Sequence, residues 1–157
     1  MTSASHQLDS TDRRIIAALD DDPRVPIMML AQQLGLARGT VQSRLEKLTA
    51  AGVLRANSTR VRPDALGYPV HASVDAQVEQ SRLLEAVSAL EEIDEVLECL
   101  APAGDTDLRL RVAAKDTDDL YRVSEKIRLC PGITRTSTTL FLRQLIPYRT
   151  TGLLDAD

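Results

Sequence analysis

The chain has 157 residues, 43% hydrophobic and 27% charged, which is room for one average domain or two small ones of ordinary soluble composition. Its apolar runs are short (Ile27-Met28-Met29-Leu30-Ala31 is among the longest) against the ~20 residues of a membrane-spanning helix, and residues 1–7 lack the basic-then-apolar pattern of a secretory signal. The net charge of −4 hides an asymmetry: residues 24–62 hold seven basic side chains and one acid, Glu46, while residues 67–157 hold ten basic and sixteen acidic ones, as suits a basic DNA-reading module joined to an acidic partner domain.

Known catalytic motifs are missing. Cys99 and Cys130 lack the paired spacing of a zinc or redox site and read as small, buried, reduced residues. His6 and His71 stand far apart, and there is no metal-ligand cluster, G-x-S-x-G, P-loop or GxGxxG. No catalytic residue, metal or cofactor is expected, and the chain reads as a non-enzyme without a membrane partner.

In chain order, residues 1–7 are small and polar and expected to be disordered. Asp9 can cap a first helix, with Asp12 placing negative charge at its positive end. Leu8, Ile15, Ile16 and Leu19 form its apolar stripe. A second helix follows Pro26, with Ile27, Leu30, Ala31 and Leu34 at the spacing of a buried face and Gly35 supplying the left-handed cap. Two residues later a third helix, roughly 38–50, turns Val41, Leu45 and Leu48 inward and leaves Arg38, Thr40, Gln42, Ser43 and Lys47 outside.

Two short helices across a tight glycine turn form a helix-turn-helix, whose second helix lies in the DNA major groove. Arginine reads guanine, glutamine reads adenine, and threonine or serine bonds bases or phosphates. Equally, such a pair is an amphipathic hairpin with a solvated polar face. Residues 53–62, with Arg55, Arg60 and Arg62, read as a wing-like strand beside the DNA backbone, so that residues 8–62 form a winged helix-turn-helix. Residues 63–69 follow as a linker.

From Val70 to Val78 apolar and polar residues alternate, as in a half-buried strand. Residues 80–92 are helical with Leu83, Leu84, Val87 and Leu90 inside, and residues 94–100 are a second strand. A turn at 102–106 leads to a third strand with Leu108, Leu110 and Val112 alternating against Arg109 and Arg111. Asp116 caps a helix with Leu120, Val123 and Ile127 in period, and Pro131-Gly132 precedes a long strand over residues 133–146. The repeated β-α-β order predicts an α+β chain whose residues 70–146 form a ferredoxin-like βαββαβ domain, followed by a tail at 147–157. One sheet face is left to be covered, most simply by a second copy.

These residues resemble the Lrp/AsnC (leucine-responsive, feast-or-famine) family of transcriptional regulators. The resemblance lies in Leu8-Asp9-x-x-Asp12-x-x-Ile15-x-x-x-Leu19, Leu30-Ala31-x-x-Leu34-Gly35-Leu36, Val41-x-x-Arg44-x-x-x-Leu48, Gly52-Val53-Leu54, Leu66-Gly67, Ala103-Gly104-Asp105-x-Asp107 and Pro131-Gly132-Ile133. Their order and spacing cover about residues 8–146. The resemblance implies a regulator of double-stranded DNA, cytoplasmic, prokaryotic and nucleoid-associated, with dimers built through the C-terminal domain and assembled to tetramers or octamers. It also implies an effector, usually an amino acid, held between protomers at a loop matched here by Gly104, Asp105, Thr106 and Asp107, with Thr138 matching a recurrent threonine on the last strand. This chain departs from the family pattern at Pro26, Ala37, Gly39, Asn57 and Leu108; Ala37 forgoes a side-chain cap worth ~1 kcal/mol.

Candidate DNA contacts are therefore Arg38, Thr40, Gln42 and Ser43 to bases, and Lys47, Arg55 and Arg60 to phosphates. Arg44 is either a phosphate contact or an internal brace of the helix-turn-helix. Asp105 either accepts an effector's amino group or is a plain turn residue. Two other functions share this architecture: a sirohaem-decarboxylase-like enzyme, which needs more histidines than His71 in the C-terminal domain, and a ligand-independent architectural DNA-binding protein.

Overall fold

The computed structural model describes residues 7–154; apart from Gln7, the stretch read as disordered lies outside the described residues. The chain divides into two compact units, Met1–Thr59 with Ile146–Asp157, and Arg60–Leu145.

The first unit contains α1 (Ser10–Asp21), α2 (Ile27–Leu34) and α3 (Arg38–Ala50). Asp9 caps α1 by accepting the Asp12 N–H at 2.8 Å, and the Asp12 side chain accepts the Asp9 N–H in return, a reciprocal capping box. Pro26 and Ala37 precede α2 and α3 without any side-chain cap, as their chemistry requires. The tight turn between α2 and α3 forms because Gly35 takes φ 68°, and Leu36 N–H reaches back to the Ala31 carbonyl at 2.9 Å. Ile15, Ala18, Leu30, Ala31 and Val41 form the core, with Leu19, Ile27, Leu34 and Leu45 packed around it.

The wing strand expected at residues 53–62 is not formed. A turn after α3 runs into a 3-10 turn, Asn57–Arg60, where Thr59 donates both its N–H and its hydroxyl to the Ala56 carbonyl. Small hydroxyl and amide residues satisfy the backbone locally there, and the segment has no apolar alternation to fasten it into a sheet.

In the second unit, β1 (Val70–Val78), α4 (Leu83–Glu91), β2 (Val96–Leu100), β3 (Leu108–Ala114), α5 (Thr117–Arg128) and β4 (Ile133–Leu140) give an antiparallel sheet of order β2-β3-β1-β4, the ferredoxin-like arrangement. Ala72, Val74, Ala76 and Val78 turn one face of β1 into a core shared with Leu108, Leu110 and Val112 of β3, Ala86 and Leu90 of α4, and Leu120, Val123 and Ile127 of α5. Asp116 caps α5 by accepting the Asp119 N–H at 2.7 Å.

Four expectations are corrected here. Gln80–Arg82 is a 3-10 turn before α4, and the register this sets places Leu83, Ala86 and Leu90 inward while Leu84 is 84% exposed. β2 begins at Val96, because Asp94 and Glu95 form the turn that precedes it. β4 stops at Leu140: its last pair with β1 is to Ala72, and Phe141 N–H adds one further bond to the His71 carbonyl at 2.9 Å. Cys130 is buried as expected, but Cys99 is exposed on the edge strand β2.

Candidate nucleic-acid interface and effector loop

The α3 helix separates its residues by function. Val41 and Leu48 are buried and Leu45 is half-buried, while Arg38, Thr40, Gln42, Ser43 and Lys47 are all exposed. Gln42 Nε2 donates to Glu46 Oε1 at 3.1 Å, one helical turn on.

Arg44 makes the internal contacts that the brace alternative calls for. Its Nη1 donates to Asp9 Oδ2 at 2.6 Å and to Asp12 Oδ1 at 2.8 Å, tying α3 to the N-terminus of α1. The Asp12 backbone N–H, and then the Arg44 guanidinium, hold the Asp9 carboxyl below its ordinary value. The two carboxylates raise the Arg44 pKa in turn, Asp9 contributing most. An open cleft runs between Gln7, Asp9 and Asp12 on one side and Gly39, Thr40, Ser43 and Lys47 on the other, and Arg44 lines it too. Arg44 therefore neutralises two acids that would otherwise face the same cleft as the polar side chains of α3.

The other predicted cations separate. Arg55 lies in the helical unit with its guanidinium 5.2 Å from the Tyr148 ring centre. Arg60 ends the 3-10 turn in the second unit, and Arg62 there pairs with Asp64, its Nε 3.0 Å from Oδ1.

The loop between β2 and β3 is built against the end of β1. Thr106 Oγ1 donates to the Ala76 carbonyl at 2.9 Å and Asp107 N–H to the same carbonyl at 3.2 Å. Asp107 Oδ2 accepts the Val78 N–H at 2.8 Å, and Oδ1 accepts Gln80 Nε2 at 3.2 Å. Thr106 and Asp107 thus hold the loop in place, and Asp107 spends its carboxylate on the β1 end rather than offering it freely to a ligand. Gly104 has φ 154°, which side chains seldom adopt, and nothing lies within 4 Å of where its Cβ would be. Asp105 is exposed; its carbonyl accepts Gln77 Nε2 at 3.4 Å, and its carboxylate has no partner among the described residues. Leu108 is buried in the core, not in a pocket.

Thr138 is not brought to this loop within the chain. It pairs with Val74 partway along the edge strand β4, and its hydroxyl lies 3.1 Å from that of Ser124 on α5. Gln77 and Gln80, which hold the loop, were missed by the sequence reading; the only available signal is that both lie at the end of the β1 strand pattern.

On the sheet face away from the helices, Asp75 pairs with Arg109 at 2.7 Å and Glu98 with Arg111 at 3.7 Å. Between them Ser73 Oγ is buried without a hydrogen-bond partner among the described residues.

A helix-turn-helix with an exposed polar recognition helix, joined in one chain to a ferredoxin-like sheet domain, defines a DNA-binding protein with a separate regulatory domain. Residues 8–49 match the AsnC-type helix-turn-helix domain and residues 71–151 the Lrp/AsnC ligand binding domain. The chain belongs to the Lrp/AsnC family of transcriptional regulators. It is 33% identical to the HTH-type transcriptional regulator AldR of Mycobacterium tuberculosis, over 88% of this chain and 80% of that protein. It is 32% identical to the HTH-type transcriptional regulator FL11 of Pyrococcus abyssi, over 87% and 90%. Among solved structures it is similar to E. coli AsnC, with TM-score 0.81 and 28% identity over 93% of this chain and 99% of that one. It is also similar to a feast or famine regulatory protein of M. tuberculosis complexed with L-methionine, with TM-score 0.79 and 31% identity over 92% and 98%. These relatives are named as regulators, which does not favour the enzyme alternative. Among the described residues no helix is long and apolar enough to cross a membrane.

Proposed function

We propose that the protein is a sequence-specific DNA-binding transcriptional regulator of the cytoplasm whose DNA binding or assembly responds to an amino acid. The observation that carries this is the set of exposed polar side chains on α3, with Arg38, Thr40, Gln42 and Ser43 as base readers and Lys47 as a phosphate contact, while Val41 and Leu48 are buried. Arg44 braces this surface through Asp9 and Asp12.

The effector reading rests on the loop at residues 103–107. Its backbone N–H groups around Gly104 suit a carboxylate, and the Asp105 carboxylate suits an ammonium; an amino acid carries both groups. A family relative complexed with L-methionine supports this ligand class. Thr138 belongs to the same reading only if another protomer brings it to the loop. The uncovered sheet face, with the Asp75–Arg109 pair and the orphaned Ser73 hydroxyl, supports a homodimer through this domain, with tetramers or octamers built on it.

The test is thermal unfolding of the full chain against each of the common amino acids. A ligand at a hundredfold excess over its Kd adds about 2.7 kcal/mol of stability. One or a few amino acids raising Tm and also shifting the DNA-binding curve supports the reading; no shift with any of them removes the amino-acid part of it.

A further inference from the structure

From Ile146 on, the chain after β4 clusters with the helical unit. It buries little of its own: Ile146, Tyr148 and Leu153 are all exposed. What fastens it are two arginines of the helical unit. Arg13 on α1 donates from Nη1 to the carbonyls of Leu153 at 2.9 Å and Leu154 at 3.1 Å. Arg55 lies over the Tyr148 ring, 5.2 Å from its centre, and its Nη2 donates to the Tyr148 hydroxyl at 3.3 Å.

Arg55 lies five residues past the end of the recognition helix at Ala50. Val53 and Leu54 both donate their N–H to the Leu48 carbonyl, which pins the backbone leading to Arg55 against the last turn of α3. Its guanidinium at the end of a long exposed chain would otherwise be free to sweep; a ring face restricts it to one plane while leaving its edge N–H groups to donate.

We propose that Tyr148 is a positioning residue for DNA binding: it holds the Arg55 guanidinium beside the end of α3 as a phosphate contact, on a segment that Arg13 fastens. This rests on the reading of α3 as the DNA-reading helix. Seen this way, the C-terminal segment is a working part of the DNA-binding unit.

The test uses the full chain on a random-sequence duplex of about 30 base pairs across a salt series, where each phosphate contact adds about one to the slope of log affinity against log salt. Arg55→Ala is expected to bind several-fold more weakly and to lose about one from the slope. Tyr148→Ala should move most of the way to the same values, Tyr148→Phe should stay close to wild type because the ring remains, and the double variant should be no weaker than Arg55→Ala. A Tyr148→Ala protein with wild-type affinity and slope overturns the proposal, as does an Arg55→Ala protein with an unchanged slope. Lys47→Ala separates this from the underlying reading: if it also binds like wild type, the assignment of α3 itself fails.

Discussion

Arg44 of α3 donates to Asp12 of α1 at 2.8 Å, and Asp12 is only 5% exposed, so the recognition helix is tied to the first helix by an ion pair with one buried partner. Asp12 also closes the capping box of α1, which makes one carboxylate responsible for both a helix end and a helix–helix contact.

Arg44→Ala is expected to weaken binding to specific and random duplexes alike, by about tenfold, although Arg44 touches no DNA in this account. The variant leaves Asp9 and Asp12 unneutralised at the cleft beside α3, and like charge repels phosphate. Asp12→Ala should lower stability in urea by about 2 kcal/mol, the scale of a lost charge-assisted bond to a buried group. An Arg44→Ala protein that binds DNA like wild type would remove the brace from the functional argument.

Acid should loosen the helical unit through Asp9. Its folded pKa lies below the ordinary value of 3.8, so its charge stabilises the fold above that value, and the contribution is lost as pH falls through the lowered folded value. Wild-type Tm should therefore drop more steeply than that of Asp9→Asn, which caps the helix without titrating, as pH falls below the ordinary carboxylate value. Parallel Tm curves for the two proteins would show that Asp9 carries none of the acid sensitivity.

Base and phosphate contacts on α3 should separate. Gln42→Ala is expected to lose ~1–3 kcal/mol on the preferred site and to relax preference at one position. Lys47→Ala should weaken all sequences similarly and lower the salt slope by about one. Both variants binding specific DNA like wild type is the result that would move the interface off α3.

Local rules carried most of the fold. The spacing of Leu30, Ala31 and Leu34 with Gly35 named the helix-turn-helix, and the alternation from Val70 to Val78 named β1, because each pattern is a direct consequence of backbone period. What failed depended on partners far away in sequence. The run Leu140-Phe141-Leu142 reads as more strand, yet β4 pairs with β1 only as far as Leu140 opposite Ala72, with one last bond from Phe141 N–H to the His71 carbonyl. Leu84 reads as inward until the 3-10 turn at Gln80–Arg82 fixes the phase of α4. At the candidate sites the limit was chemical. An aspartate in a turn looks the same whether it awaits an ammonium or accepts an N–H, and Asp107 accepts from Val78, 29 residues upstream. Arg44 likewise offered the same charge to a phosphate or to Asp9 and Asp12.

The effector loop should be separable from DNA binding. The Cβ added by Gly104→Val meets nothing within 4 Å, but the variant places a branched residue at φ 154° and extends into the space beside the loop. The variant is expected to bind DNA like wild type and to lose the amino-acid-dependent rise in Tm. Unchanged ligand response in that variant would locate the effector elsewhere and leave the loop a structural turn.

The most direct measurement of the whole account is selection of the full-length protein on a duplex library with a randomised centre. Two symmetry-related copies of α3 should enrich an inverted repeat whose half-sites lie about one helical turn apart, or a multiple of it, and Gln42→Ala should flatten one position in each half. Enrichment of nothing, or of a single asymmetric half-site bound by one copy, would contradict it.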